Sequence, residues 1–205
     1  MRRRAILDVA QDMLATTPVE EISLRALSRR AGLASSNVLR YFGSRETIFL
    51  EVVDRLWTRW LDDLQERLAG LGPAPDRPDV ARTVAASLAA HPQFCELVSV
   101  QSSVLERNAS VEDIVSFKRR ALAHRDRTAS LVAGAVPGLG ERAARELTSL
   151  TTTFVAGLWP LANPGPAVAA ATATPDLAAA HVDFTTRLTR MLDLLITALR
   201  DGEAG

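Results

Sequence analysis

Cysteine is nearly absent from this 205-residue chain, in which Cys95 stands alone. A single thiol excludes an internal disulfide and suits a reducing compartment. Histidine is almost as scarce. His91, His124 and His181 are scattered, and although His91 and Cys95 lie four apart, no second pair of ligands is near enough in sequence to complete a metal site. No metal and no cofactor is expected. The chain also lacks a nucleophile elbow, a phosphate-binding glycine loop and a framed pair of acids, so it does not read as an enzyme. Nor is there a secretory segment: the start Arg2-Arg3-Arg4 runs into Asp8, Gln11 and Asp12 instead of an apolar core. A cytoplasmic protein is the expectation.

Runs of alternating polarity long enough for strands are missing too. One uncharged stretch, 147–175, is long enough to span a bilayer. It is broken by Pro160, Asn163, Pro164, Gly165 and Pro166 and carries six threonines. It therefore reads as a helix end, a turn and an Ala-rich restart, with no membrane partner.

What remains is helical periodicity, on a composition that is 47% hydrophobic. Ile6, Val9, Ala10, Met13 and Leu14 make one amphipathic stripe, ended by Pro18. Ser23 is a good N-cap for a short helix over 24–30. Ala31-Gly32-Leu33 makes a tight turn, and a second short helix follows over 35–41. After Phe42-Gly43, Ser44 caps a long helix whose stripe runs Phe49, Val52, Val53, Leu56, Trp57, Trp60, Leu61, Leu64, Leu68. Further helices are expected over 80–90, 93–106, 110–135, 141–159 and 176–200, with Ser110 and Asp113 spaced as a capping box. The prediction is an all-α chain of about nine helices.

Charge is balanced overall but not along the chain. Residues 1–45 hold eight arginines against Asp8, Asp12, Glu20 and Glu21, a net +4, which leaves −4 on the rest. A basic head on an acidic body is the footprint of a nucleic-acid-binding module joined to a partner domain. The three short helices fit that role, because a helix-turn-helix needs a small residue and a glycine where its helices cross. Its second short helix offers Ser35, Ser36, Asn37, Arg40 and Tyr41 to base edges in the major groove. Arg3, Arg4, Ser23, Arg25 and Arg45 are the candidates for phosphate contact.

Residues 5–53 resemble the N-terminal head of the TetR-like repressors. The resemblance rests on Leu27-Ser28-Arg29-Arg30-Ala31-Gly32-Leu33, then Arg40-Tyr41-Phe42, then Gly43-Ser44-Arg45-Glu46. Two departures stand out: Leu39 occupies a position that is usually tyrosine, and Arg45 one that is usually lysine. Cys95-Glu96-Leu97 and Gly157-Leu158-Trp159-Pro160 are similar to segments of TetR-like bodies. The resemblance implies a DNA-binding head over 1–46 and a helical ligand-binding and dimerisation domain over 47–205. It implies a homodimeric, ligand-responsive repressor on a palindromic double-stranded DNA operator.

Trp57, Trp60, Phe94, Val98, Phe117, Phe154 and Trp159 would line an apolar cavity for a small apolar ligand, with Gln101 and Ser102 orienting it. Leu147, Leu150, Phe184, Leu188, Met191 and Leu195, on the last two helices, would form the dimer interface. The competing reading is a small helical ligand carrier or enzyme with an incidental helix-turn-helix-like corner.

Overall fold

The computed structural model describes residues 2–73 and 75–203, with side chains as far as Arg200. Its regular structure is ten α-helices joined by short turns, with no strand among the described residues. Helices α1 (Arg2–Met13), α2 (Leu24–Arg30) and α3 (Ser35–Phe42) make the head. The body is α4 (Arg45–Ala69), α5 (Arg77–Ala89), α6 (Pro92–Val100), α7 (Val111–Ala135), α8 (Glu141–Ala162), α9 (Pro166–Thr172) and α10 (Phe184–Glu203).

Helix α4 organises both parts. Ser44 starts it by accepting a hydrogen bond from the Thr47 N–H at 3.0 Å, which satisfies a first-turn donor. Every residue of its expected stripe from Phe49 to Leu68 is buried. Fully burying one such side chain contributes about 1.5–3 kcal/mol, so packing fixes this helix more than propensity does. It packs against α1 at the head end and against α5, α6 and α7 in the body. Helix α10 closes the body by packing on α5 and α8, and Arg77 of α5 reaches Asp193 of α10 at 2.7 Å.

Besides an earlier start of α5 and the short α9, three boundaries differ from the sequence-based expectation. Helix α6 ends at Val100, and Gln101–Leu105 forms a single π-helical turn. That turn lets Leu105 swing fully into the core, as such turns re-aim side chains. Helix α8 continues past Pro160 to Ala162. Proline gives no N–H to the carbonyl four residues back and its ring crowds that carbonyl, and the helix ends two residues later.

The third difference is the last helix, which begins at Phe184 rather than near residue 176. Leu177 and the alanines after it have no core to pack on and form only a 3-10 stretch, Pro175–Ala180, exposed throughout. The actual start is marked by Asp183, whose carboxylate accepts from the Thr186 N–H at 2.7 Å. Hydrogen bonding from the Thr186 side chain, and then from this N–H, holds the Asp183 carboxyl below its ordinary range. No described helix is long and apolar enough to cross a membrane.

Candidate nucleic-acid interface and body cavity

The crossing of α2 and α3 follows from the Ala31-Gly32-Leu33 turn. Gly32 sits at φ +66°, a conformation that glycine adopts without strain. The Ala31 and Leu33 amides donate back to Leu27 and Ser28 at 2.9 and 3.0 Å, closing the turn. Leu27, Val38 and Phe42 then bury against Ile6, Ala10, Val19 and Ile22.

With that face buried, α3 turns Ser36, Leu39 and Arg40 to solvent, with Ser35, Asn37 and Tyr41 half-buried beside them. All five base-reading candidates therefore keep some accessibility on one short helix. The Arg40 guanidinium lies 5.9 Å from the Tyr41 ring centre and has no carboxylate partner among the described residues. Leu39 is 38% exposed, an apolar side chain on an otherwise polar outer face.

The phosphate candidates divide. Arg4, Ser23 and Arg25 are exposed, and Ser23 caps α2 by accepting from the Ala26 N–H at 3.1 Å. Its hydroxyl proton stays free to donate. Arg3 and Arg45, by contrast, have partners inside the protein. Arg3 pairs with Glu51, donates to the Tyr41 carbonyl and covers the Phe42 ring at 4.4 Å. Arg45, only 16% exposed, donates to the Val19 and Ile22 carbonyls and pairs with Glu46 at 2.8 Å. Both bind the head to α4, and a lysine ammonium could not span the two carbonyls as a planar guanidinium does.

The start of α4, just below the head, also meets α7. Thr47 donates to Asp113 at 3.1 Å, and Ser110 donates to the same carboxylate at 2.7 Å. Gly43, at φ +75°, ends α3 beside that carboxylate.

Between α4, α5, α6, α7, α8 and α10 lies an apolar cavity of about 30 Å³. It is bordered by Trp57, Trp60, Phe94 and Val98, four of the expected pocket residues, and by no charged side chain. Trp60 and Phe94 stack at 5.5 Å, and Trp57 lies 5.5 Å from Phe94 and 5.4 Å from the His124 ring. The Trp60 indole N–H donates to the buried Ser87 hydroxyl at 3.0 Å. Nearby, burial pushes the Asp63 carboxyl up, but hydrogen bonds from Arg67 and His91 outweigh that and hold it below its ordinary range.

Comparison with known proteins decides the family. Residues 6–52 match the model of bacterial regulatory proteins of the tetR family, and residues 54–202 match that of the tetracyclin repressor-like C-terminal domain. The chain belongs to the tetR family. It is a DNA-binding transcriptional regulator built on a helix-turn-helix.

Solved structures share the regulator's fold. A TetR transcriptional regulator from Rhodococcus sp. RHA1 is 16% identical, with a TM-score of 0.57 over 96% of this chain and 95% of that one. The fatty acid degradation regulator FadR from Bacillus halodurans is 14% identical, with a TM-score of 0.58 over 97% and 96%. FadR from Bacillus subtilis, solved in complex with stearoyl-CoA, is 15% identical, with a TM-score of 0.54 over 92% and 96%. No curated protein sequence matches the chain.

Other expected pocket residues of this tetR-family regulator lie away from the cavity. Gln101 donates to Glu106 at 2.8 Å on the π-helical turn, and Ser102 is exposed. Phe117 is core, and Phe154 is half-buried outside the lining. Trp159 packs edge-on to Phe184 at 5.0 Å and donates to Glu96 at 3.0 Å. Their places are taken by Thr128, Thr148, Thr151 and Thr152 and by Leu192 and Ile196. The threonines could have been found as a polar i, i+3, i+4 row on an otherwise apolar helix.

The expected interface set divides as well. Leu150, Met191 and Leu195 stay partly exposed, whereas Leu147, Phe184 and Leu188 are buried in the protomer's own core. Leu161 and Leu194, more than 60% exposed on the same two helices, were not anticipated.

Proposed function

We propose that the regulator is a homodimeric, ligand-responsive repressor that binds a palindromic operator through α3. The observation that carries this reading is the head's supply of free cations. Arg2, Arg4, Arg25, Arg29, Arg30 and Arg40 are exposed and have no carboxylate partner among the described residues, which leaves them for a polyanion.

In this reading Arg40 takes a guanine edge, Asn37 an adenine edge, and Ser35, Ser36 and Tyr41 the adjoining groups. Leu39 meets a thymine methyl, which gives its exposure a use. Arg4, Ser23 and Arg25 hold phosphates, setting register without reading sequence. Arg3 and Arg45 act one step back by fixing the head on α4. The DNA-binding unit is residues 1–46 and the remainder binds ligand and dimerises, with Leu150, Leu161, Met191, Leu194 and Leu195 at the two-fold interface.

The cavity receives a small apolar effector. At about 30 Å³ it is far below the roughly 300–1,000 Å³ of occupied ligand sites. Binding must therefore displace α4, α6 or α8 side chains, and α4 leads directly to the head. Ligand then releases DNA because the opened state fits the operator less well. The Bacillus subtilis neighbour solved with stearoyl-CoA is a regulator of this fold whose ligand carries an apolar chain, which supports the same direction.

Light scattering of the free protein, followed by footprinting on the DNA upstream of its own coding region, tests the proposal. A dimer protecting two half-sites related by a dyad is expected. A monomer, or protection without a dyad, would refute it.

A further inference from the structure

One residue on the cavity wall carries a buried polar group that no described residue satisfies. Trp57 borders it and is 97% buried, at 3% relative exposure, yet its indole N–H has no acceptor. An indole nitrogen is a donor only, and a buried donor without a partner is costly enough that native structures rarely keep one without a role. The other tryptophans show the usual arrangement: Trp60 donates to Ser87 and Trp159 to Glu96.

The remaining polar groups of the lining are already committed as donors. Thr148, Thr151 and Thr152 each donate to the carbonyl four residues back, on Ala144, Leu147 and Thr148, at 2.7–3.0 Å. Thr128 does the same to His124 at 2.8 Å. With no ionised side chain on its wall, the cavity cannot compensate a buried charge. It can donate a single hydrogen bond, from Trp57, whereas its threonine oxygens can only accept.

We infer that the effector is an uncharged, mostly apolar molecule bearing an accepting oxygen, most simply a carbonyl, which receives the Trp57 N–H. This inference rests on the reading of the cavity as the effector site. It turns Trp57 from a wall into the residue that selects among apolar ligands, since a molecule of equal shape without the oxygen leaves the donor stranded.

The test compares acetophenone with α-methylstyrene, which replaces the carbonyl oxygen by a methylene at nearly the same volume. Both are titrated into the full-length, ¹⁵N-tryptophan-labelled protein and into its Trp57→Phe variant. Acetophenone is expected to bind about tenfold more tightly than the alkene and to move one indole N–H signal downfield. The signals of the bonded Trp60 and Trp159 serve as internal controls, so the wild-type spectra suffice even if the variant folds poorly. In a folded Trp57→Phe the preference should disappear. Equal binding of both probes, with no N–H shift, would overturn the assignment while leaving the cavity as an effector site. Binding of neither probe would overturn both.

Discussion

Thr47, on the first turn of α4, donates its hydroxyl to Asp113 on α7 at 3.1 Å, five residues after α3 ends at Phe42. Asp113 also accepts from Ser110, and Ser44 lies 2.8 Å from the Thr47 hydroxyl. The first turn of α4 and the N-cap of α7 thus share one carboxylate. A shift of α4 against α7 cannot leave the end of α3 unmoved while these bonds hold.

Replacing Asp113 by alanine therefore loosens the start of α4 without touching the cavity. The loss of one partly exposed bonded group should cost about 1 kcal/mol, lowering Tm by about 2–4 °C for a chain of this size. Hydrogen exchange mass spectrometry should show faster exchange over residues 44–47 and no change over 84–98. Unchanged exchange at 44–47 would show that the carboxylate does not tether the two parts.

Arg45→Ala should destabilise the free protein by about 1–3 kcal/mol, because the Ile22 carbonyl loses its side-chain donor and the Val19 carbonyl keeps only the Ile22 N–H. Arg45→Lys should recover little of this, since one ammonium cannot reproduce the fork. Thermal unfolding without DNA is the check. An unchanged Tm together with weaker DNA binding would return Arg45 to the phosphate contacts.

Much of this was legible from periodicity. The α4 stripe, the Ala31-Gly32-Leu33 turn, and the caps at Ser23, Ser44 and Ser110 are local patterns, and each governs the element it predicts. What was hidden depends on partners distant in sequence. Nothing near Arg45 announces that its guanidinium meets carbonyls more than twenty residues earlier. Leu147 and Leu188 look like any helix-face leucine until α5 and α8 close on α10. The tryptophans that border the cavity are conspicuous in the sequence because they lie on a long apolar stripe. Its threonines were overlooked because a hydroxyl bonded to its own helix behaves as an apolar side chain. The start of α10 was misplaced because an Ala-rich segment has helical propensity but, lacking a face to bury, forms no long helix.

Acid should weaken the α4–α6 connection through Asp63. Its folded carboxyl is held below the ordinary value by Arg67 and His91 despite the burial that opposes this. A depressed carboxylate contributes stability above the unfolded pKa, near 4, and loses it as pH falls through the lower folded value. Wild type should therefore melt above Asp63→Asn at pH 7, with the gap closing below about pH 4. A gap that persisted at the acid end would rule out ionisation as its source.

Arg40 decides whether α3 reads sequence. Binding of the regulator to the footprinted operator and to a scrambled duplex can be followed by fluorescence anisotropy at several salt concentrations. Arg40→Ala should reduce discrimination between the two duplexes by about 1–3 kcal/mol while leaving binding to the scrambled duplex nearly unchanged. Equal discrimination by wild type and Arg40→Ala would contradict the assignment of α3 as the reading helix.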